Sequence, residues 1–276
     1  MNDKEINFWL NLSQEISEKV EEAITNARDD PKLTTITKIG ADGTPTHKID
    51  EYAENAAIEV IKNSGKSLIL ISEEIGKIKI GKEDAKNLVI MDPLDGTSNA
   101  MKNIPCYGIS IAVASIPNDE RVSDVTLGDI EFGYIKNFPT GDIYTAIKGK
   151  GSAKNGKPMT LSNIKKASES TISTYIYRAK EGMLDKLCTS VRRMRLMGAI
   201  AVELCYVADG TYDTFLDVGA VRVLDIAAAQ LVIKETGGVV TDIESNPLAS
   251  QLDLLEKTSI VASANKEVHD DIIKLL

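Results

Sequence analysis

The chain has 276 residues, 43% of them hydrophobic and 26% charged, with a net charge of −9. That length allows one large α/β body or two closely packed halves, and the composition is ordinary for a soluble globular protein. The acidic balance argues against a general nucleic-acid or anionic-membrane binder. It leaves room for a phosphate substrate, because bound divalent cations reverse the local sign.

Residues 3–28 carry Ile6, Trp9, Leu10, Ile16, Val20, Ala23, Ile24 and Ala27 at helical spacing, which predicts an amphipathic helix with Asp3 as cap and Pro31 beyond its stop. The polar run Thr34 to Lys48, with Gly40 and Ala41-Asp42-Gly43-Thr44-Pro45, reads as a hairpin or a loop. Asp50 is placed to cap a second helix that ends at Gly65. Ser67 to Ile71 then makes a short apolar strand that runs into Glu73-Glu74.

Leu88 to Met91 is an uninterrupted apolar run, the pattern of a strand buried on both faces. It ends in Asp92-Pro93-Leu94-Asp95-Gly96, after which Thr97 or Ser98 can cap a short helix. Two carboxylates at a strand end favour a hard cation, and a helix N-terminus favours phosphate. A plain Asp-Gly surface turn is the competing reading.

Strands are predicted over 107–116, 130–135 and 143–147, followed by a glycine-rich turn at 148–156. Further strands are expected near 170–176, 193–197, 212–216, 239–241 and 260–263. Helices are expected at 181–190, 199–208, 223–236 and 268–275. Asp225 opens the alanine-rich helix of this set, where an acid is an ordinary first-turn residue. No internal repeat or flexible linker is visible, so the whole chain, 1–276, is expected to form one body with halves of about 1–147 and 148–276.

Cys106, Cys188 and Cys205 lie far apart with no Cys-x-x-Cys pair, which points to free thiols in a reducing cytoplasm. His47 and His269 are the only histidines, so any metal here must be held by oxygen. No apolar stretch reaches membrane-spanning length, and the N-terminus lacks the basic-then-apolar pattern of a signal peptide.

Taken together, these segments resemble the inositol monophosphatase family of magnesium-dependent, lithium-sensitive phosphatases. Asp92-Pro93-Leu94-Asp95-Gly96-Thr97 matches its Asp-Pro-hydrophobic-Asp-Gly-Thr motif, and Glu73-Glu74 stands where the family has Glu-Glu. Leu224-Asp225-Ile226-Ala227-Ala228 and Glu235-Thr236-Gly237-Gly238 match the second motif, with Leu224 in place of tryptophan and Thr236 in place of alanine. Asn155-Gly156 matches a family turn.

The resemblance implies an α/β fold of αβαβα sandwich type. It implies two or three Mg²⁺ ions held by Glu73, Asp92, Asp95, Asp225 and the carbonyl of Leu94. Asp50 and Thr97 would activate the attacking water, Glu74 would support the ligands, and Gly96, Thr97 and Ser98 would seat phosphate. Gly198 and Ala199 match the segment that touches substrate hydroxyls, and Asp217 lies near an acid found in inositol-specific members. Leu224 and Gly43-Thr44-Pro45-Thr46 resemble the archaeal branch, whose members often hydrolyse both inositol-1-phosphate and fructose-1,6-bisphosphate.

A second phosphate would need cations, for which Arg178 and Arg195, with Arg192 and Arg193 beside them, are candidates. The expected partners are a small phosphorylated sugar or polyol and a second copy in a homodimer. Two other readings stay open: a 3′(2′),5′-bisphosphate nucleotidase of the same superfamily, and a sensor that binds metal and phosphate without turnover.

Overall fold

In the computed structural model, which describes residues 1–117 and 122–276, the chain starts with helix α1 over Asp3–Asn26. A small hairpin follows, β1 Ile36–Ile39 and β2 Pro45–His47, then α2 Lys48–Asn63, β3 Leu68–Ser72, β4 Gly76–Ile80, β5 Asn87–Asp95 and the short α3 Thr97–Lys102. A run of strands comes next: β6 Gly108–Ser115, β7 Ile130–Asn137, β8 Asp142–Ile147, β9 Gly151–Lys154 and β10 Lys157–Pro158. The remainder alternates as β11 Thr171–Thr174, α4 Asp185–Ser190, β12 Arg193–Arg195, α5 Ile200–Ala208, β13 Thr214–Arg222, α6 Val223–Thr236, β14 Val239–Thr241, β15 Lys257–Ser263 and α7 Lys266–Ile273.

Two larger sheets result, of eight strands in the order β10-β9-β8-β7-β6-β5-β3-β4 and of five in the order β12-β11-β13-β15-β14. Alternate residues of β5 enter different cores, as the period of a strand requires. Val89 and Met91 join Trp9, Ile16 and Val20 of α1 and Ile49, Ala53 and Ala57 of α2. Leu88 and Ile90 join Val202 and Leu204 of α5, Ile226 and Ala227 of α6, and Phe215 and Ile260 of the second sheet. The far side of that second sheet, through Ile172, Leu216 and Val261, packs on Leu187 of α4 and on Val268 and Ile272 of α7. The layers therefore run helix, sheet, helix, sheet, helix, the expected αβαβα sandwich.

The small residues of α6 have a packing cause. Gly133 of β7 lies so close beneath the helix that a Cβ there would sit 2.9 Å from the Ala228 carbonyl oxygen.

Several boundaries differ from the sequence expectation. Asn2, not Asp3, caps α1: its side chain accepts from the Glu5 amide, and the Glu5 carboxylate accepts from the Asn2 amide, each at 3.0 Å. α2 begins before Asp50, which lies within its first turn and accepts from the His47 amide at 2.8 Å. Gly96, in the left-handed region at φ 87°, precedes α3, so neither Thr97 nor Ser98 is its cap. β4 went unforeseen because Lys77 and Lys79 interrupt its apolar residues, as suits an edge strand. β13 and β15 run longer than predicted, α7 starts two residues earlier at Lys266, and α4 keeps only the second part of the expected 181–190 helix. Ile36 and Ile39 are both exposed, so strand β1 contributes nothing to a core.

Candidate active site

β3 and β5 are parallel neighbours in register, with Ser72 opposite Met91. Their carboxyl ends therefore lie side by side, and each runs directly into acids. Glu73 and Glu74 follow β3, and Asp92 and Asp95 close β5, at the strand ends where open α/β sheets bind ligands. Between Asp92 and Asp95 the pairing with β6 shifts register. Pro93, which has no amide hydrogen, fits such a break. The Leu94 amide folds back to donate to Asp92 Oδ1 at 2.9 Å. Asp225 arrives from the other sheet, in the first turn of α6. Glu73, Asp92, Asp95 and Asp225 all line one cleft of about 480 Å³, together with Leu94, Gly96, Thr97 and Ser98.

Arg222, the last residue of β13, stands among these acids and was not anticipated. Its Nε and Nη2 donate to Asp225 at 2.7–3.1 Å, and its Nη1 donates to Glu73 Oε1 at 2.7 Å and to Asp42 Oδ2 at 2.5 Å. One guanidinium thus ties together the β1–β2 turn, the end of β3 and the start of α6. The only sequence signal was an arginine three residues ahead of an acid at a helix start.

Burial without enough positive charge pushes the acids toward their neutral forms. Glu73 is raised to about 7 by desolvation, against which Arg222 pulls down while Asp225 and Asp42 push up. Asp95 is raised to about 8 by desolvation and then by Asp225. Asp92 is raised too, by desolvation and by the neighbouring Glu73, Asp95 and Asp225. Such a cluster attracts cations.

A hydroxyl of the cleft lining meets a carboxylate from α2, which borders a small adjoining pocket with Glu73, Glu74 and Asp92. Thr97 Oγ1 donates to Asp50 Oδ1 at 2.8 Å and lies 3.2 Å from the Leu94 carbonyl. Burial raises Asp50 despite the opposing bonds from Thr97 and His47. Glu74 is raised to about 7, again mainly by desolvation; Thr46 donates to its carboxylate, and Ala41 N donates to its main-chain oxygen at 3.3 Å.

The opposite wall is organised by a residue that sequence reasoning missed, Glu203 of α5. Its fully buried carboxylate accepts from Ser173 and Tyr175 hydroxyls at 2.6 and 2.9 Å, and from the amides of Met197, Gly198 and Ala199 at 2.9–3.4 Å. An acid inside the apolar run Ala201-Val202-Glu203-Leu204-Cys205 was its available signal. Asn99 pins the same segment to α3, donating to the carbonyls of Cys106 and Met197 at 2.7 Å. Gly198 lines the cleft, and Ala199 is buried behind it.

Arg178 also lines the cleft, but Asp217 holds it at 2.7 Å, and its guanidinium lies over the rings of Tyr175 and Tyr177. Asp217 is buried behind that arginine and is not part of the cleft lining. Arg195 turns back onto the Met194 carbonyl at 3.0 Å and does not line the cleft either, so the structure does not gather it with the other candidates. Lys257, paired with Arg222 across β13 and β15, does line it.

The donor set suits a hard cation. It consists of carboxylates and the Leu94 carbonyl, whereas the rings of His47 and His269 are bonded elsewhere, to Thr34 and to Thr241 and Ser263. Among the described residues no three His, Cys, Asp or Glu side chains converge in metal-ligand geometry. Arg222 lies between the acids that would have to converge. No helix among the described residues is long and apolar enough to cross a membrane.

Comparison with known proteins bears on the same arrangement. The chain is 40% identical over 279 aligned residues to the fructose-1,6-bisphosphatase/inositol-1-monophosphatase of Methanothermobacter thermautotrophicus, covering 100% of this chain and 99% of that one. It is 39% identical over 267 residues to the bifunctional NADP phosphatase/NAD kinase of Methanocaldococcus jannaschii, covering 88% of this chain and 46% of that longer protein. The solved structure of hypothetical protein PH1897 from Pyrococcus horikoshii, described as having similarities for inositol-1 monophosphatase, matches with a TM-score of 0.82 at 28% identity over 98% of both chains. Residues 4–276 match the family model itself, and on that match, with the two motifs facing each other across the cleft, the chain belongs to the inositol monophosphatase family.

Proposed function

We propose that this chain is a phosphoric monoester hydrolase that releases phosphate from small phosphorylated polyols and sugars, with inositol-1-phosphate and fructose-1,6-bisphosphate as first candidates. One observation carries the reading: four carboxylates and the Thr97 hydroxyl border a single cleft beside the start of α3, and that hydroxyl is bonded to Asp50 behind it. Glu73, Asp92, Asp95, Asp225 and the Leu94 carbonyl would hold two or three Mg²⁺ ions. When bound, those ions would supply Lewis-acid stabilisation of phosphoryl charge and a lowered pKa for water.

The protein's own groups do the rest. Thr97 gives its proton toward Asp50, so its oxygen lone pairs are free to accept one from a water molecule. Burial raises the affinity of Asp50 for a proton, which suits a general base. Glu74, held by Thr46, keeps the strand end in place. The backbone at Gly96, Thr97 and Ser98 faces the phosphate, and Gly198 and Ala199 form the wall for substrate hydroxyls. Arg178, oriented by Asp217, and Lys257 are the cations available to a second anionic group, a role for which Arg195 is poorly placed.

The same proposal makes the chain a single working unit of two packed halves, a cytoplasmic protein with its three cysteines free, and a homodimer.

A second reading has its own support. Tyr177 is 68% exposed and Leu196 45% exposed, and both line the cleft, giving it an aromatic and apolar rim that suits a nucleotide base. A relative named as an NADP phosphatase fits that rim. Phosphate release with Mg²⁺ from inositol-1-phosphate, fructose-1,6-bisphosphate, NADP and adenosine 3′,5′-bisphosphate tests both. Fastest turnover of either sugar ester supports the first reading, and preference for NADP or the adenosine ester supports the second. Binding of all four without release reduces the chain to a sensor and refutes both.

A further inference from the structure

We propose that Arg222 is a built-in counter-cation that competes with Mg²⁺ for Glu73 and Asp225, and so sets the affinity of this site for metal. The inference rests on the metal assignment made above and goes beyond it, to a residue outside the ligand set.

The argument starts from shared lone pairs. Arg222 is bonded to both oxygens of Asp225, to Glu73 Oε1 and to Asp42 Oδ2, with its side chain only 21% exposed. A magnesium ion needs carboxylate oxygens at about 2.0–2.1 Å and tolerates little distortion. An ion drawing Glu73 and Asp225 together at that distance would occupy the space where the guanidinium nitrogens sit, 2.7 Å from the same oxygens. The two cations therefore exclude each other.

The guanidinium is suited to this place. It is planar, always charged and weakly hydrated, and its fork grips Asp225 with two nitrogens while a third serves Glu73 and Asp42, more bonds than the three donors of an ammonium group can make. It draws together acids that would otherwise repel, one from the β1–β2 turn, one from the end of β3 and one from α6. Linkage then fixes the direction of the effect: free energy that Arg222 gives to these acids is subtracted from what Mg²⁺ gains by binding them. The arrangement gives the carboxylates a partner on either side of metal exchange.

The test is Mg²⁺ binding by titration calorimetry on the full-length, chelator-stripped chain, with thermal unfolding as a second readout. R222M should bind Mg²⁺ more tightly, by about fivefold or more, and should unfold at a lower temperature than the parent when Mg²⁺ is absent. R222K, which keeps the charge but loses the fork, should fall between the two. K257M removes a positive charge from the same cleft without touching these acids, and should leave Mg²⁺ affinity close to that of the parent.

Equal or weaker Mg²⁺ binding by R222M overturns the proposal. So does a K257M chain that tightens as much as R222M, since general charge and not competition would then be the cause. If R222M does not fold, R222K decides, and an affinity equal to the parent's overturns the proposal. A parent chain that binds no Mg²⁺ at all refutes the metal assignment itself, a result distinct from the others.

Discussion

The two walls of the cleft are built in opposite ways. On one side, the ends of two parallel strands and the start of α3 supply Glu73, Asp92, Asp95 and Thr97, with Glu74 just behind them, so a short piece of sequence becomes a short piece of surface. On the other, Tyr175 and Gly198 are held by Glu203 and Arg178 by Asp217, buried acids that do not line the cleft, while Arg222 and Lys257 reach it from β13 and β15. The first wall is fixed by backbone register and the second by side-chain bonding. Substitutions on the first should therefore remove chemistry and spare the fold, and substitutions behind the second should shift binding and stability together.

The largest expected effect lies on the first wall. Asp95→Asn should lower kcat by about a thousandfold, since a lost ligand forfeits several kcal/mol of charge stabilisation. The variant should stay folded, because Asp95, raised to about 8, is already close to the neutral form that asparagine mimics. Phosphate release and circular dichroism check this, and near-normal turnover would erase the distinction between the walls.

A smaller effect is expected behind the second wall. Glu203→Gln places an amide NH₂ among hydroxyl and backbone donors that now converge on a carboxylate. Hydrogen bonds to charged groups are worth about 1.5–3 kcal/mol, so Tm should drop by roughly 5 °C. KM should rise by about tenfold while kcat changes little, because the displaced segment faces substrate and not the reacting centre. A fall in kcat at constant KM would assign Glu203 to the first wall.

The smallest effect is a pH dependence. Glu73 and Glu74 are raised to about 7 and Asp95 to about 8, all above the unfolded-state values near 4. The folded state thus holds extra protons, and its stability falls as pH rises through that window. In chelator, Tm should decline from about pH 5 to about pH 8 and then level. Saturating Mg²⁺ should flatten or reverse the slope, since metal binding favours the ionised acids. A Tm in chelator that rises across that range would show the first wall to be adequately neutralised by Arg222 alone.

The same contrast explains what could be read in advance. The apolar run Leu88–Met91 followed by Asp92 and Asp95 declared a buried strand ending in acids, whereas Asp225 looked like an ordinary first-turn acid until the family motif around it placed it in the site. The layered fold was implied by the family resemblance, and its physical basis, strands whose alternate residues face different cores, became visible only in the structure. Arg222 could not be read, because a single arginine in a sequence looks the same whether it is solvated or wedged between carboxylates. Arg178 and Asp217 were both visible as polar residues, yet nothing in their spacing said that they pair with each other. Glu203 stood out only as a charge in an apolar stretch, and its five donors arrive from β11, from Tyr175 just after it and from the segment before α5. Local pattern foretells the backbone; it does not foretell which distant side chain answers a buried charge.

The near-contact between Gly133 and Ala228 links the interior to the cleft. Asp225 stands one helical turn before Ala228 on the same rod, so a methyl group added at 133 would lift the rod and carry that acid with it. A residue that meets neither ester nor ion thereby sets the depth at which a working carboxylate is presented, and changes there should register as lost turnover although their origin is a missing few tenths of an ångström in the middle of the protein.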